Sequence, residues 1–202
     1  MQERAKKTRS RILESAVGLF SAQGFHGATI DEIAALADVN KQRIYAYFGS
    51  KSRLFEAALL DVFERIELFS HDTLARAEKH PEKITAIVLD GFLKVHKVHP
   101  ELWRLLAWAN LEGSLCTEAL NQARRQENER LRRLYERAVG EGLLRPIPFE
   151  TWLFTLLAVT CFRFSNERTL VHTMDGIVSM QKMERKLATG LNTLFTPEKK
   201  SK

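Results

Sequence analysis

Between residues 50 and 80 the chain contains neither glycine nor proline, while Phe55, Ala58, Leu59, Val62, Phe63, Ile66 and Phe69 recur at intervals of three and four. Only an α-helix places residues so spaced on one face. Ser50 is suited to cap it. A helix of this length joins two parts of the chain directly, so their boundary is mechanical rather than a flexible linker. The same period fills the rest of the sequence, which has only 10 Gly and 5 Pro in 202 residues. The expectation is an all-α protein of about nine helices.

Upstream, Ile12, Leu13, Ala16, Val17 and Phe20 form a helical stripe over residues 8–23, closed by Gly24, a residue that takes a left-handed cap at least cost. Thr29 stands three residues before Glu32, a capping box that opens a second helix through Ile33, Leu36 and Ala37. Asn40 caps a third, Lys41–Phe48, and Gly49 ends it. Further helices are expected over 81–98, from Pro100 through Ala109, over 117–139, over 149–164 and over 174–195, the last with Ile177, Met180, Leu187, Leu191 and Leu194 at helical spacing. Residues 197–202 read as a short, basic, frayed tail.

Charge is uneven. Of the formal net +6, residues 1–55 carry +4: nine cations (Arg4, Lys6, Lys7, Arg9, Arg11, Lys41, Arg43, Lys51, Arg53) against five anions (Glu3, Glu14, Asp31, Glu32, Asp38). Such concentration at one end suits a phosphate backbone as partner. No apolar run is long enough to cross a membrane, and the basic N-terminus leads into an amphipathic segment, not a secretory apolar core. Cys116 and Cys161 match neither a disulfide framework nor a metal spacing. They read as small buried hydrophobes, with redox sensing the alternative. His96, His99 and His172 share no ligand spacing, so no metal or cofactor is expected. A cytoplasmic protein is implied.

Residues 29–48 meet the requirements of a helix-turn-helix, two helices crossing closely with a turn that aims the second into the major groove. Ala34 is small at the crossing. Asp38 occupies a turn position that needs positive φ, which Asp tolerates better than most. Ile33, Val39 and Ile44 anchor the angle.

The stretch RILESAVGLFSAQGFHGATIDEIAALADVNKQRIYAYFGSKSRLFEAAL, residues 11–59, closely resembles the tetracycline-repressor (TetR) family. The landmarks are Ile12-Leu13, Leu19-Phe20, Gly24, Thr29, Ile33-Ala34, Val39, Ile44-Tyr45, Tyr47-Phe48 and Ser50-Lys51. It departs from the family at Asp38, for the usual turn glycine, and at Asn40, for the common serine. The resemblance implies a bacterial, nucleoid-associated regulator that binds a palindromic operator as a dimer. DNA binding falls to residues 1–50, and ligand sensing and dimerisation to residues 51–202. Lys41, Gln42 and Arg43 open the recognition helix, and their chemistry suits guanine O6/N7 and adenine N6/N7. Thr29, Tyr45, Tyr47 and Lys51 match positions used for phosphates, and a basic arm (Lys6, Lys7, Arg9, Arg11) adds backbone or minor-groove contacts. Tyr45 and Tyr47, two apart on a helix, cannot share a face, so one of them packs.

The segment FETWLFTLLAVTCFRF, residues 149–164, is apolar nearly all round and must be covered on every side. With the final helix it resembles the family's dimer interface, made by the last two helices of each subunit; a buried hairpin in a monomer is the alternative. The family's small-molecule effector enters a cavity among helices five to eight, for which Trp103, Leu106, Trp108, Asn110, Trp152, Thr155 and Phe162 are candidate walls, each also readable as core. Arg163 is expected to pair with Glu112 or Glu167, with an anionic ligand the alternative. No HExxH, GxSxG, phosphate-loop or dinucleotide pattern is present, which argues against an enzyme. A helical protein-interaction adaptor without DNA binding is the other reading, and it leaves the landmarks of residues 11–59 unexplained.

Overall fold

The computed structural model describes residues 2–112 and 117–197, with side chains except at residues 2, 67–70 and 117–123. Cys116, the Phe69 side chain and the tail after Pro197 therefore lie outside it. Among the described residues there are ten α-helices, one 3-10 turn (Pro81–Lys83) and no strand: α1 (Gln2–Gly27), α2 (Ile30–Leu36), α3 (Lys41–Phe48), α4 (Lys51–Lys79), α5 (Ile84–Val98), α6 (Pro100–Leu111), α7 (Thr117–Gly140), α8 (Phe149–Ser165), α9 (Glu167–Thr173) and α10 (Met180–Phe195). None of them is long and apolar enough to cross a membrane.

Two expected elements are corrected. Helix α1 begins at Gln2, so the basic arm is its first turns; Gly24 breaks it at positive φ (φ 77°, ψ −179°), as expected, and a further short helical stretch follows to Gly27. The last helix starts at Met180, where Ser179 supplies the N-cap, instead of near Met174. Asp175 and Gly176 (φ 72°) form a turn that breaks the period, leaving Ile177 outside the helix and 75% exposed. The short helix α9 fills the interval in which periodicity alone predicts no separate element.

The chain forms two compact units, Met1–Ile66 with His99–Arg124, and Glu67–Val98 with Arg125–Lys202. In the first, Ile12, Leu13, Ala16 and Phe20 of α1 are buried, as are Ile33 and Ala34 of α2, Ile44 and Phe48 of α3, and Leu54, Phe55, Ala58 and Leu59 of α4. Phe20 and Phe55 meet edge to face with ring centroids 5.1 Å apart, the arrangement the ring quadrupoles favour. Helix α6 packs along α1.

In the second unit, Leu74, Ile84, Val88, Leu131, Leu134, Tyr135, Leu156, Leu191 and Phe195 belong to one core around Trp152. Trp152 is fully buried and its Nε1–H donates to Thr85 Oγ1 at 3.0 Å. The Tyr135 ring lies tilted beside it with centroids 4.7 Å apart, and its hydroxyl donates to the Ile147 carbonyl at 2.7 Å. Each polar tip in this core thus has a partner, as burial requires. Helix α8 turns Phe149, Trp152, Leu156, Thr160 and Phe164 inward and leaves Phe154 72% and Phe162 55% exposed. Arg163 is buried, with Nη1 3.1 Å from Glu167 and Nη2 3.3 Å from Glu184. Of its two expected partners only Glu167 is confirmed; Glu112 instead meets His26 at 2.7 Å.

Candidate nucleic-acid interface

The helix-turn-helix is held by backbone chemistry at both ends of α2. At the start of α2 the Thr29 hydroxyl accepts from the Glu32 N–H at 3.2 Å, while the Glu32 carboxylate accepts from the Thr29 N–H at 2.8 Å and from its hydroxyl at 2.7 Å. This is the capping box read from the sequence. The hydroxyl and N–H of Thr29, with a smaller contribution from the Lys51 charge, hold the Glu32 carboxyl below its ordinary value. At the end of α2 the Asp38 N–H reaches the Ala35 carbonyl at 3.2 Å and the Val39 N–H reaches that of Ala34 at 3.0 Å. That pair of bonds is a Schellman closure with a left-handed residue at its centre. Asp38 fills the position at φ 50°.

The chain then enters α3 through Asn40, whose side-chain oxygen accepts from the Gln42 N–H at 3.0 Å. Ile44 and Phe48 anchor the inner face of α3. Lys41, Gln42 and Arg43 therefore stand exposed at its N-terminal end, three polar side chains on a backbone fixed from behind. Lys41 Nζ lies 3.1 Å from Asp31 Oδ1.

The expected phosphate residues surround this end with different surroundings. Thr29 is exposed, its hydroxyl engaged in the capping box. Lys51 is half-buried, with Nζ 4.8 Å from the centre of the Phe25 ring, a cation–π contact that steadies the ammonium without removing its charge. Tyr45 is 47% exposed, whereas Tyr47 is half-buried and donates to the Ala5 carbonyl at 3.4 Å. Tyr47 is thus the packed member of the pair. Arg9 lies over the Phe48 ring at 5.4 Å. An open groove of about 510 Å³ runs beside Tyr45, Tyr47, Gly49, Arg53 and Glu56.

Two contacts at this end join residues that have no sequence signal for one another, Lys41 with Asp31 and Arg11 with Asp38. The candidate effector walls divide between the two units. Trp103, Leu106, Trp108 and Asn110 are on α6; Trp108 packs against Gly24 and Asn110 is exposed. Trp152, Thr155 and Phe162 are on α8, where Trp152 is core, the Thr155 hydroxyl donates to the Thr151 carbonyl at 2.7 Å, and Phe162 is exposed. The second groove, about 620 Å³ beside Val171, Ile177, Met180 and Lys186, includes none of these seven residues.

Comparison with known proteins places this arrangement. Residues 12–58 match the family model of bacterial regulatory proteins of the tetR family, and residues 81–190 match that of the tetracyclin repressor-like C-terminal domain. The chain is 38% identical over 160 residues, 75% of its length, to the HTH-type transcriptional repressor SCO4008 of Streptomyces coelicolor, of which 76% is covered. The chain belongs to the TetR family. It is 30% identical over 184 residues to the HTH-type transcriptional repressor NicS of Pseudomonas putida, covering 88% of this chain and 84% of that one. The fold is shared with the putative transcriptional regulator SCO4942 of Streptomyces coelicolor (TM-score 0.70, 24% identity, 94% and 99% of the two chains) and a TetR regulator of Haloarcula marismortui (0.73, 17%, 95% and 100%). As a TetR-family chain it is a helix-turn-helix DNA-binding regulator, in a family of regulators and not of enzymes.

Proposed function

We propose that this TetR-family chain is a ligand-responsive repressor that binds a palindromic operator as a homodimer and releases it when a small-molecule effector binds. The observation that carries the DNA-reading assignment is the exposed trio Lys41, Gln42 and Arg43 on a helix start locked by Asn40, Ile44 and the Schellman turn. Arg43 and Lys41 have donors suited to guanine, and Gln42 has the donor and acceptor pair suited to adenine. Thr29, Tyr45, Tyr47 and Lys51 serve the phosphates, which set register without reading sequence.

Residues 1–50 carry DNA binding and residues 51–202 carry sensing and dimerisation. Phe154 and Phe162 on α8 and Leu194 on α10 are exposed apolar side chains, of the kind that a second copy covers in a twofold interface. The effector acts by favouring a dimer geometry in which the two recognition helices no longer match the half-sites. For effector contacts, Trp103, Leu106 and Asn110 of α6 remain candidates in the first unit and Thr155 and Phe162 of α8 in the second, whereas Trp152 is core and Trp108 packs on Gly24. Being named repressors, SCO4008 and NicS support negative control.

Enrichment of duplexes from a random-sequence pool by the full-length protein, followed by footprinting, tests this reading. The expected result is an inverted repeat protected on both half-sites, with affinity falling steeply with salt. Enrichment of no sequence over background would sink it.

A further inference from the structure

Asp38 is the only non-glycine residue at positive φ among the described residues. It stands at the centre of the turn that aims α3, two residues before Asn40 and three before Lys41. L-residues resist this conformation because Cβ crowds the backbone, and a carboxylate side chain relieves that only in part. Beside the Schellman bonds of the turn itself, the fold supplies a further hold from α1. Arg11 Nη2 donates to the Asp38 backbone carbonyl at 3.2 Å, and Arg11 Nη1 lies 3.9 Å from Asp38 Oδ2.

Both partners are placed so that the backbone bond matters more than the ion pair. The Asp38 side chain is 96% exposed, so its carboxylate is well solvated and the attraction is weak. The Arg11 side chain is itself 46% exposed, but its backbone is fixed in α1, where the next residues, Ile12 and Leu13, are 0% and 2% exposed. Its guanidinium thus connects a fixed helix to the carbonyl of the turn residue, across 27 positions of sequence.

We propose that Arg11 is a positioning residue for operator recognition: it holds the Asp38 turn in its left-handed conformation and thereby fixes the angle at which Lys41, Gln42 and Arg43 meet the bases. This deepens the DNA-binding reading above and rests on it. Arg11 acts through the turn and not on phosphate. A consequence follows from the chemistry of position 38. Glycine there adopts the same φ without strain, so a chain with glycine at the turn has no need of the tether.

The test measures fluorescence anisotropy of the duplex enriched by the wild-type protein, titrated with full-length wild type, Arg11→Ala, Asp38→Gly and the double variant, at a temperature where thermal melts show all four folded. Arg11→Met, which keeps the aliphatic stem, stands in if the alanine variant melts too low. Arg11→Ala alone is expected to weaken binding about three- to tenfold with an unchanged salt slope. In the Asp38→Gly background the same substitution is expected to change affinity less than about twofold, a rescue that a general loss of stability does not produce. Equal loss in both backgrounds, with the salt slope reduced by about 0.9, makes Arg11 a phosphate contact and overturns the proposal. No loss in either background overturns it too. A wild-type protein that enriches no duplex removes the DNA-binding reading itself, and this one with it.

Discussion

The indole of Trp108 lies so close to Gly24 that a Cβ at residue 24 would stand 2.7 Å from its Cδ2 and Cε3. Helix α6 thereby packs into the interruption of α1, and His26, two residues on, meets Glu112 at 2.7 Å just past the end of α6. Gly24 is required twice, by its φ of 77° and by the ring against it.

Gly24→Ala is therefore expected to lower the stability of the protein by about 2–4 kcal/mol, the sum of backbone strain and overpacking. Denaturant unfolding read at several wavelengths measures it. A loss below about 1 kcal/mol would show that the two helices separate at little cost.

Removing one side of the Trp152–Thr85 hydrogen bond leaves a buried polar atom without a partner. Trp152→Phe should cost about 1–3 kcal/mol for the unpaired Thr85 hydroxyl, in addition to the volume lost. In the Thr85→Val background the same substitution should cost less. A double-mutant cycle reads the difference as coupling between the two side chains; strict additivity would contradict the bond.

Within the proposed DNA interface the two kinds of cation should separate. Arg43→Ala is expected to reduce discrimination against base changes by about 1–3 kcal/mol at one position of each half-site. Lys51→Ala should weaken all sequences alike and flatten the salt dependence by about one ion. Binding titrations on a panel of substituted duplexes at several salt concentrations distinguish them.

The capping box gives α2 a pH dependence of known sign. Glu32 is held below its ordinary 4.5 by the Thr29 hydroxyl and N–H. Its contribution to stability is thus fully present above about pH 4.5 and is lost as pH falls through the lowered value in the folded state. Glu32→Ala should destabilise the protein at pH 7, and the gap to wild type should narrow in the acid range. A gap that stayed constant down to pH 3 would remove the assignment.

The proposed twofold interface makes its own demand. Phe154→Lys and Phe162→Lys replace exposed apolar side chains, so neither should lower monomer stability by more than about 0.5 kcal/mol, while together they should shift sedimentation toward the monomer. A dimer unaffected by both would be built on another surface.

What could be read from the sequence was whatever is local. The capping box of Thr29 and Glu32, the Asn40 cap, the positive φ at Asp38 and the inward stripe of α4 each depend on residues a few positions apart. The backbone carries their effect through single turns of helix. The start of α10 is hidden for the same reason: apolar residues continue in period through Ile177, and the Asp175-Gly176 turn interrupts them without changing composition.

Sequence alone thus determined an all-α chain, a helix-turn-helix at 29–48 and the trio at its reading end, because helix periodicity and capping are short-range. Tertiary structure decided which tryptophan is core and which packs on a glycine. It also placed Arg11 on the Asp38 carbonyl and Tyr47 on Ala5, and made Glu184 a partner of Arg163. Of these, the Tyr47–Ala5 contact alone spans 42 positions of sequence, and the tryptophan contacts span more. Nothing in one segment's pattern specifies the other, since each pairing exists only after the helices have buried their apolar faces against each other.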